Sequence, residues 1–422
     1  MEKPVDIAII GAGAAGLMTA IWAGRTVQGK HTPIQILLLD TRPKIGAKIL
    51  MSGGTRCNVT NKEVKASDFQ GGPSHFVKHI LEAFTPQETI KFFKEIGVEL
   101  ILEPTGKYFP ITHSAQTVLD ALIKEAECVG VTLKKGVRIT EIRKTGDAFH
   151  LKSSEGTYEV FARKVVITTG GLSHPTTGSD GTGYGIVKSF GHTVVNTFPA
   201  LTPLLTNDND WKNLSGIALA AKLSFFKNGK KECECRDSFL FTHFGFSGPA
   251  ALDISRHFAS ATKDENPQIT ASFLPNYNEE SLKTAFESFQ KKNPSKLVKN
   301  TLAEEFSLPD RFVKTFLKKI GISETNSIGK CSSENRKKLV RFLLNYSLEI
   351  AGIFGYKKAE VTAGGVDLKE VKVQTMESRL VDGLYLAGEI LDVDGRIGGF
   401  NFQWAWSTGA VAGQNAVRSL II

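Results

Sequence analysis

The chain has 422 residues, 41% of them hydrophobic and 23% charged. That composition suits two or three packed domains and excludes a fibrous or largely disordered protein. Lys and Arg outnumber Asp and Glu by 52 to 43, a balance of +9 that is compatible with nucleic acid, an acidic cofactor or a membrane surface and selects none of them. Five cysteines are sparse and odd in number, so reduced thiols in a cytoplasmic protein are expected rather than a disulfide scaffold.

Residues 5–40 form one βαβ pattern. The apolar run VDIAII (5–10) suits a strand buried on both faces, and it leads directly into GAGAAG, with Gly11, Gly13 and Gly16. Gly11 permits the tight turn, Gly13 removes a side chain that would block a diphosphate, and Gly16 lets helix and strand pack closely. The helix N-terminus then offers free N–H groups to phosphates. A second strand, IQILLLD (34–40), ends in Asp40, placed for ribose hydroxyls. The opening has no signal-peptide pattern, and no apolar run reaches the roughly 18–20 residues that span a bilayer. A cytoplasmic protein without a membrane partner is expected, which sets aside the formal glycosylation sequon Asn58-Val59-Thr60.

A simple NAD domain would continue with another helix and strand. Here the chain enters TRPKIGAKILMSGGTRCNVTN (41–61), basic and glycine-bearing. Within it, Gly53 and Gly54 bring backbone close to a ligand and Asn58 faces it. Arg56 pairs with a diphosphate or an anionic substrate, or else forms a surface ion pair, and Cys57, lacking a CxxC partner, is a small buried thiol. Residues 74–130 carry helix signals. Thr85-Pro86-Gln87-Glu88 is a capping box with proline at the first helical position, Gly97 ends that helix, and Ser114 starts the next. Residues 131–169 form a β-meander ending in KVVITTGG, with Thr169 and Gly170 close to the ligand. The glycine-rich stretch 173–192 is a loop entering a helix, able to cradle phosphate but expected as a flexible loop on the substrate side.

From 193 to about 275 the pattern is strand-like. Cys233 and Cys235 share a strand face there, but no second pair stands at zinc spacing, and DVDG (392–395) lacks the remaining calcium ligands, so no metal is expected. Residues 278–341 are lysine-rich and helical, either a solvated helical face or an RNA-contacting surface. The end, 383–416, gives a strand, Gly388-Glu389, a glycine loop and a small-residue helix. Two-site binding of this kind is the pattern of FAD proteins. Gly388 and Glu389 meet the ribityl–pyrophosphate region, while Gly398, Gly399, Phe400 and Asn401 present a helix N-terminus to the flavin ring. His243, before a sharp turn and a Ser247-Gly248-Pro249 helix start, is the first candidate proton donor, and Tyr108 in GKYFP is the second. Each has a bland alternative, a backbone-bonded histidine and a core aromatic. No second GxGxxG follows a strand, so any nicotinamide has to visit the open flavin face.

Four segments together, GAGAAGL, ILMSGGTRCNVTN, LFTHFGFSGPAALDISR (240–256) and 359–410, resemble the BaiN/RdsA-type (YhiN-like) family of NAD(P)/FAD-dependent oxidoreductases. The resemblance covers essentially the whole chain. It implies an α/β fold: a glutathione-reductase-like FAD-binding Rossmann domain (1–192 and 359–422), interrupted by a small β-barrel domain (193–277 and 342–358) with a nested helical insert (278–341). The cofactor set expected on this reading also includes Ala14, Ala15, Thr41, Arg42, Lys48 and Val137. Two positions depart from the family pattern: its SGGGRCN is SGGTRCN here, with Thr55 for glycine, and His174 stands where an aromatic such as tyrosine is expected. The implied activity is NAD(P)H-driven reduction of a ring C=C, with uridine in large-subunit ribosomal RNA as the leading substrate and the basic insert holding the RNA. A small-molecule, steroid-like enone reductase is one alternative. A flavin-bearing RNA-binding or assembly protein with little turnover is another. The sequence specifies no oligomeric state.

Overall fold

A computed structural model describes residues 4–28 and 33–421. The chain divides into two compact units, Met1–Pro199 with Glu360–Ile422, and Ala200–Ala359.

The first unit is built on a parallel sheet. Strand β1 (Val5–Ile10) has its last four residues buried, as a strand covered on both faces requires. It pairs in parallel with β2 (Ile36–Asp40) on one side and with Glu159–Ile167 on the other. Outside β2 lies Thr132–Lys135, and outside Glu159–Ile167 lies Leu384–Leu386, both parallel to their neighbours. The outer half of Glu159–Ile167 pairs antiparallel with Ala148–Ser153, which pairs with Ile139–Thr145; of the meander expected over 131–169 this part forms, while Thr132–Lys135 lies beyond β2 instead. All the parallel strands therefore end on one edge, where open α/β sheets bind ligands.

Helix α1 (Ala14–Val27) runs back from that edge, and the C-terminal helix Phe400–Ile421 lies against it. The contact is close because glycines form it. A Cβ on Gly409 would stand 2.6 Å from the Ala15 carbonyl oxygen, and one on Gly413 2.2 Å from that of Thr19. Alanine at either position would force the helices apart, at a cost of about 1–3 kcal/mol.

Between residues 74 and 130 the expected helices form as Ser74–Ala83, Pro86–Glu95 and Ala115–Cys128. The Thr85 hydroxyl accepts from the Glu88 amide at 3.2 Å and the Glu88 carboxylate accepts from the Thr85 amide at 2.6 Å, completing the capping box. An unanticipated hairpin, Leu100–Leu102 with Lys107–Pro110, interrupts the helices. Strands this short carry too few alternations to register as a period.

The second unit contains a seven-stranded sheet and five helices of eight or more residues: Gly248–Ser260, Glu279–Lys292, Val298–Glu305, Asp310–Lys319 and Ser333–Leu344. Its long hairpin, Ala218–Lys227 with Lys230–Thr242, turns at Asn228-Gly229, both left-handed at φ 49° and 76°, as a two-residue hairpin turn requires. One hydrophobic cluster unites sheet and helices: Trp211 stacks on Phe241 at 5.5 Å and on Phe312 at 6.1 Å. The end strands, Tyr346–Leu348 and Gly352–Ile353, are joined by residues 349–351 alone. The sheet thus curls back on itself, and no pairing among the described residues closes it into a hydrogen-bonded ring.

Candidate cofactor and active site

The edge of the parallel sheet gathers most of the residues singled out from the sequence. At the end of β1, Gly11 adopts φ +105°, and the Thr168 hydroxyl donates to the carbonyls of Ile10 (2.9 Å) and Gly11 (2.8 Å), which sets the turn. Gly16 is obligatory for packing: a Cβ there would meet the Gly11 carbonyl oxygen at 1.8 Å. Gly13 differs. It sits at φ −84°, and a Cβ there would meet nothing within 4 Å, so the space beside it is open. No side chain caps α1, which leaves the N–H groups of its first turn, at Ala14, Ala15 and Gly16, for a ligand.

Asp40 closes this cradle. Its carboxylate accepts from the Ala12 amide at 2.6 Å and from the Arg42 amide at 2.7 Å. Burial raises its pKa, against the pull of those two amides and the Arg42 charge. A carboxylate has about four acceptor sites, so capacity remains for ribose hydroxyls. Val137 joins by donating its amide to the Asp40 carbonyl at 2.9 Å, and Thr41 is exposed beside it. The loop after Glu159–Ile167 crosses back over β1 toward β2. Arg42 donates to the Thr176 carbonyl, and Arg138 pairs with Asp180 at 2.6 Å and donates to Thr182 at 2.8 Å. His174 in this loop is left-handed at φ 49°, a conformation histidine tolerates better than most residues. Gly170 is left-handed too, while the Thr169 hydroxyl is buried toward Gly183 rather than toward the cradle.

A polar cluster stands further along. Lys48 bonds Glu389 at 2.8 Å and the Ser173 hydroxyl at 2.8 Å, Ser173 donates to Glu389 at 2.7 Å, and the Thr362 amide donates to the same carboxylate at 3.0 Å. Burial pushes the Glu389 carboxyl up, but the Lys48 charge and these hydrogen bonds outweigh it and hold the pKa below the ordinary value. Gly388, left-handed at φ 82°, packs where a Cβ would come 2.7 Å from that of Ala15. Its amide donates to Thr408 at 3.0 Å.

The third cluster surrounds the start of the C-terminal helix. Gly398 and Gly399 have φ of 128° and 94°. Asn58, with its amide oriented to satisfy both neighbours, accepts from the Gly399 amide at 3.1 Å and donates to the Thr60 carbonyl at 3.1 Å. Asn61 donates to the Gly398 carbonyl at 2.9 Å. Asn401 exchanges two 2.8 Å bonds with the Gly395 backbone, and Phe400 is buried against Phe69. The segment before Asn58 is tightly wound: Gly53, Gly54 and Thr55 are left-handed at φ 56°, 67° and 68°, and all three are exposed. Arg56 lies over the Phe109 ring at 4.0 Å and pairs with Glu103 at 2.6 Å. Cys57 is fully buried, and burial pushes its thiol up to about 12, so it is inert. Tyr108 is half-buried on the strand paired with Thr60. His243 belongs to the second unit, exposed in the two-residue turn between Thr242 and Gly245.

These clusters suit a dinucleotide with a flavin ring. Gly409 lies beside Ala15, nine residues into the C-terminal helix but one into α1. The C-terminal helix therefore starts about 12 Å further out, at about 1.5 Å rise per residue. Two helix N-termini at this offset can serve a diphosphate and a ring carbonyl joined by an extended five-carbon polyol. Sequence reasoning missed Thr168, Ser173, Glu103, Arg138, Asp180 and Thr362. Only Thr168, directly after an apolar strand run, carried a local signal.

The HI0933-like protein Rossmann domain matches residues 5–415. The chain belongs to that family. Over 422 residues it is 35% identical to the ribosomal RNA dihydrouridine synthase of Escherichia coli K12, covering 99% of each chain. Over 414 residues it is 32% identical to the 3-dehydro-bile acid delta(4,6)-reductase of Clostridium scindens, covering 98% of this chain and 99% of the other. Among solved structures, the Mycobacterium smegmatis Sdh1 complex in the apo form matches with TM-score 0.50 at 13% identity, over 99% of this chain and 68% of that one, a likeness of fold alone. The chain is accordingly an FAD-dependent oxidoreductase with a Rossmann-type FAD-binding domain.

Proposed function

We propose that the enzyme reduces the ring C=C of a uridine in large-subunit ribosomal RNA to dihydrouridine in the cytoplasm, oxidising NAD(P)H. The observation that carries this reading is the 35% identity, across 99% of both chains, to a relative named for that activity. The balance is simple: NAD(P)H gives up a hydride, the uracil ring gains that hydride at one carbon and a proton at the other. Bound FAD would relay the hydride. The chain's own residues bind and orient. Amides at the start of α1, with Asp40 and Arg42, hold the adenosine diphosphate half, and Lys48, fixed by Glu389 and Ser173, neutralises charge beside it. The start of the Phe400–Ile421 helix, gripped by Asn58 and Asn61, turns its positive end to charge that develops on the ring. Tyr108 or His243 delivers the proton.

The second reading, reduction of a steroid-like enone, is favoured by the 32% identity to the bile acid reductase. Purified enzyme, NADPH and protein-free large-subunit rRNA separate the two. Dihydrouridine in the digested RNA supports the first. NADPH consumption with 3-oxo-4-ene steroids and none with RNA supports the second.

A further inference from the structure

The helices between residues 279 and 344 are rich in lysine, yet six of their eleven lysines are already paired with a carboxylate. Lys283 pairs with Glu279 at 2.5 Å, Lys296 with Glu305 at 2.7 Å, Lys299 with Glu324 at 3.6 Å and Lys314 with Asp310 at 2.8 Å. Lys318 pairs with Asp210 at 2.8 Å, and Lys319 pairs with Asp208. A lysine held by a carboxylate gains little from a phosphate, because no net counterion release follows. Among the described residues, Lys291, Lys292, Lys330, Lys337, Lys338 and Arg341 are exposed and have no carboxylate partner.

Five of the six lie on adjoining segments, and Arg341 stands further along, in the last turn of Ser333–Leu344. The end of Glu279–Lys292, the turn Ile328–Lys330 and the start of Ser333–Leu344 are tied together by neutral contacts and one buried-side arginine. Gln290 donates to the Gly329 carbonyl at 3.2 Å, Arg336 donates to the Gln290 side chain at 2.9 Å and to the Cys331 carbonyl at 3.1 Å. The Gly329 amide donates to the Pro294 carbonyl at 2.9 Å. Lys337 and Arg341 are one helical turn apart, so they share a face, and Lys338 adjoins them. Glu334, one turn before Lys338, and Glu287, one turn before Lys291, are exposed acids that form no ion pair among the described residues. Six basic residues without a carboxylate partner thus lie on three adjoining chain segments, against the two exposed acids Glu334 and Glu287, so the junction keeps a net positive charge.

We propose that this junction, and not the lysine-rich helices as a whole, is the surface that grips RNA phosphates. The inference rests on the rRNA reading above and locates its partner surface. The test measures binding of the FAD-loaded, full-length enzyme to protein-free large-subunit rRNA while salt is raised from about 50 to about 200 mM. One variant carries Lys→Gln at 291, 292, 330, 337 and 338 with Arg341→Gln. A control carries Lys283→Gln, Lys314→Gln and Lys318→Gln, which removes paired lysines. A third keeps the charge, with Lys→Arg at the five junction positions. Each phosphate contact contributes about 0.7–0.9 to the slope of log affinity against log salt. The junction variant is expected to lose about 2–4 from that slope, while the control loses under about 1 and the arginine variant stays as wild type. Unchanged slope in the junction variant, with steep salt dependence in the wild type, overturns this inference and leaves the substrate reading standing. A wild-type enzyme without salt-dependent RNA binding overturns both. Flavin absorbance of each variant reports that the fold is retained.

Discussion

Gly13→Ala separates the two jobs a nucleotide-binding glycine can have. At Gly16 a side chain is excluded by the protein itself, since a Cβ would stand 1.8 Å from the Gly11 carbonyl oxygen. At Gly13 the backbone is at φ −84° and ψ −165°, where alanine is unstrained, and the added carbon meets no protein atom within 4 Å. The apo-protein should therefore gain about 0.4–1 kcal/mol, through the lower entropy of the unfolded chain. FAD binding should move the other way, because the new methyl occupies the space where a diphosphate meets the α1 amides. Losing one charge-assisted hydrogen bond costs about 1.5–3 kcal/mol, or roughly ten- to hundredfold in affinity. Thermal unfolding of apo-protein and a fluorescence titration with FAD measure both signs on one sample. Wild-type affinity in Gly13→Ala would refute the placement of the diphosphate. A destabilised apo-protein would refute the open space beside Gly13.

Other outcomes follow from the same geometry. Thr55 is β-branched yet left-handed at φ 68°, so Thr55→Gly should relieve about 1–2 kcal/mol of strain, less the entropy cost of glycine, and raise the urea midpoint; a lower midpoint contradicts this. Because the Glu389 pKa is depressed in the fold, its contribution is full above about pH 4.5 and is lost as pH falls through the folded value. Glu389→Gln should cost about 1–3 kcal/mol at neutral pH and flatten the acid limb of the stability curve, and an acid limb as steep as wild type counts against the cluster. Asp180→Asn frees the loop that Arg138 ties over the sheet edge, so FAD should dissociate up to about fivefold faster in stopped-flow, the scale of a partly exposed ion pair. Tyr108→Phe and His243→Gln assign the proton. The donor's variant should keep its FAD and lose about a hundredfold or more in turnover, whereas full activity in both rules out both residues.

The opening βαβ unit was legible because its signals are local. An apolar run, three glycines at fixed spacing and a strand-ending acid all act within forty residues, and the capping box at Thr85 is legible for the same reason. The clusters around them were not. Glu389 reaches Lys48 across 341 positions, Arg138 reaches Thr182 across 44, and Arg56 reaches Glu103 across 47, so no window of sequence contains both partners. This changes how individual residues are understood. Arg56, expected at a phosphate, at an anionic substrate or in a surface ion pair, pairs with Glu103 on the face of Phe109, and Asn58, expected toward the cofactor, grips the Gly399 amide. The lysines of the helical segment looked uniform in sequence, and only their pairing in space divides them into neutralised and free.

Dihydrouridine formation in ribosomal RNA is the activity proposed for this enzyme. Nucleoside mass spectrometry of large-subunit rRNA from the source organism, with and without the gene, tests it most directly. Dihydrouridine is expected to disappear in the deletion strain and to return with the intact gene. Undiminished dihydrouridine in the deletion strain would contradict it.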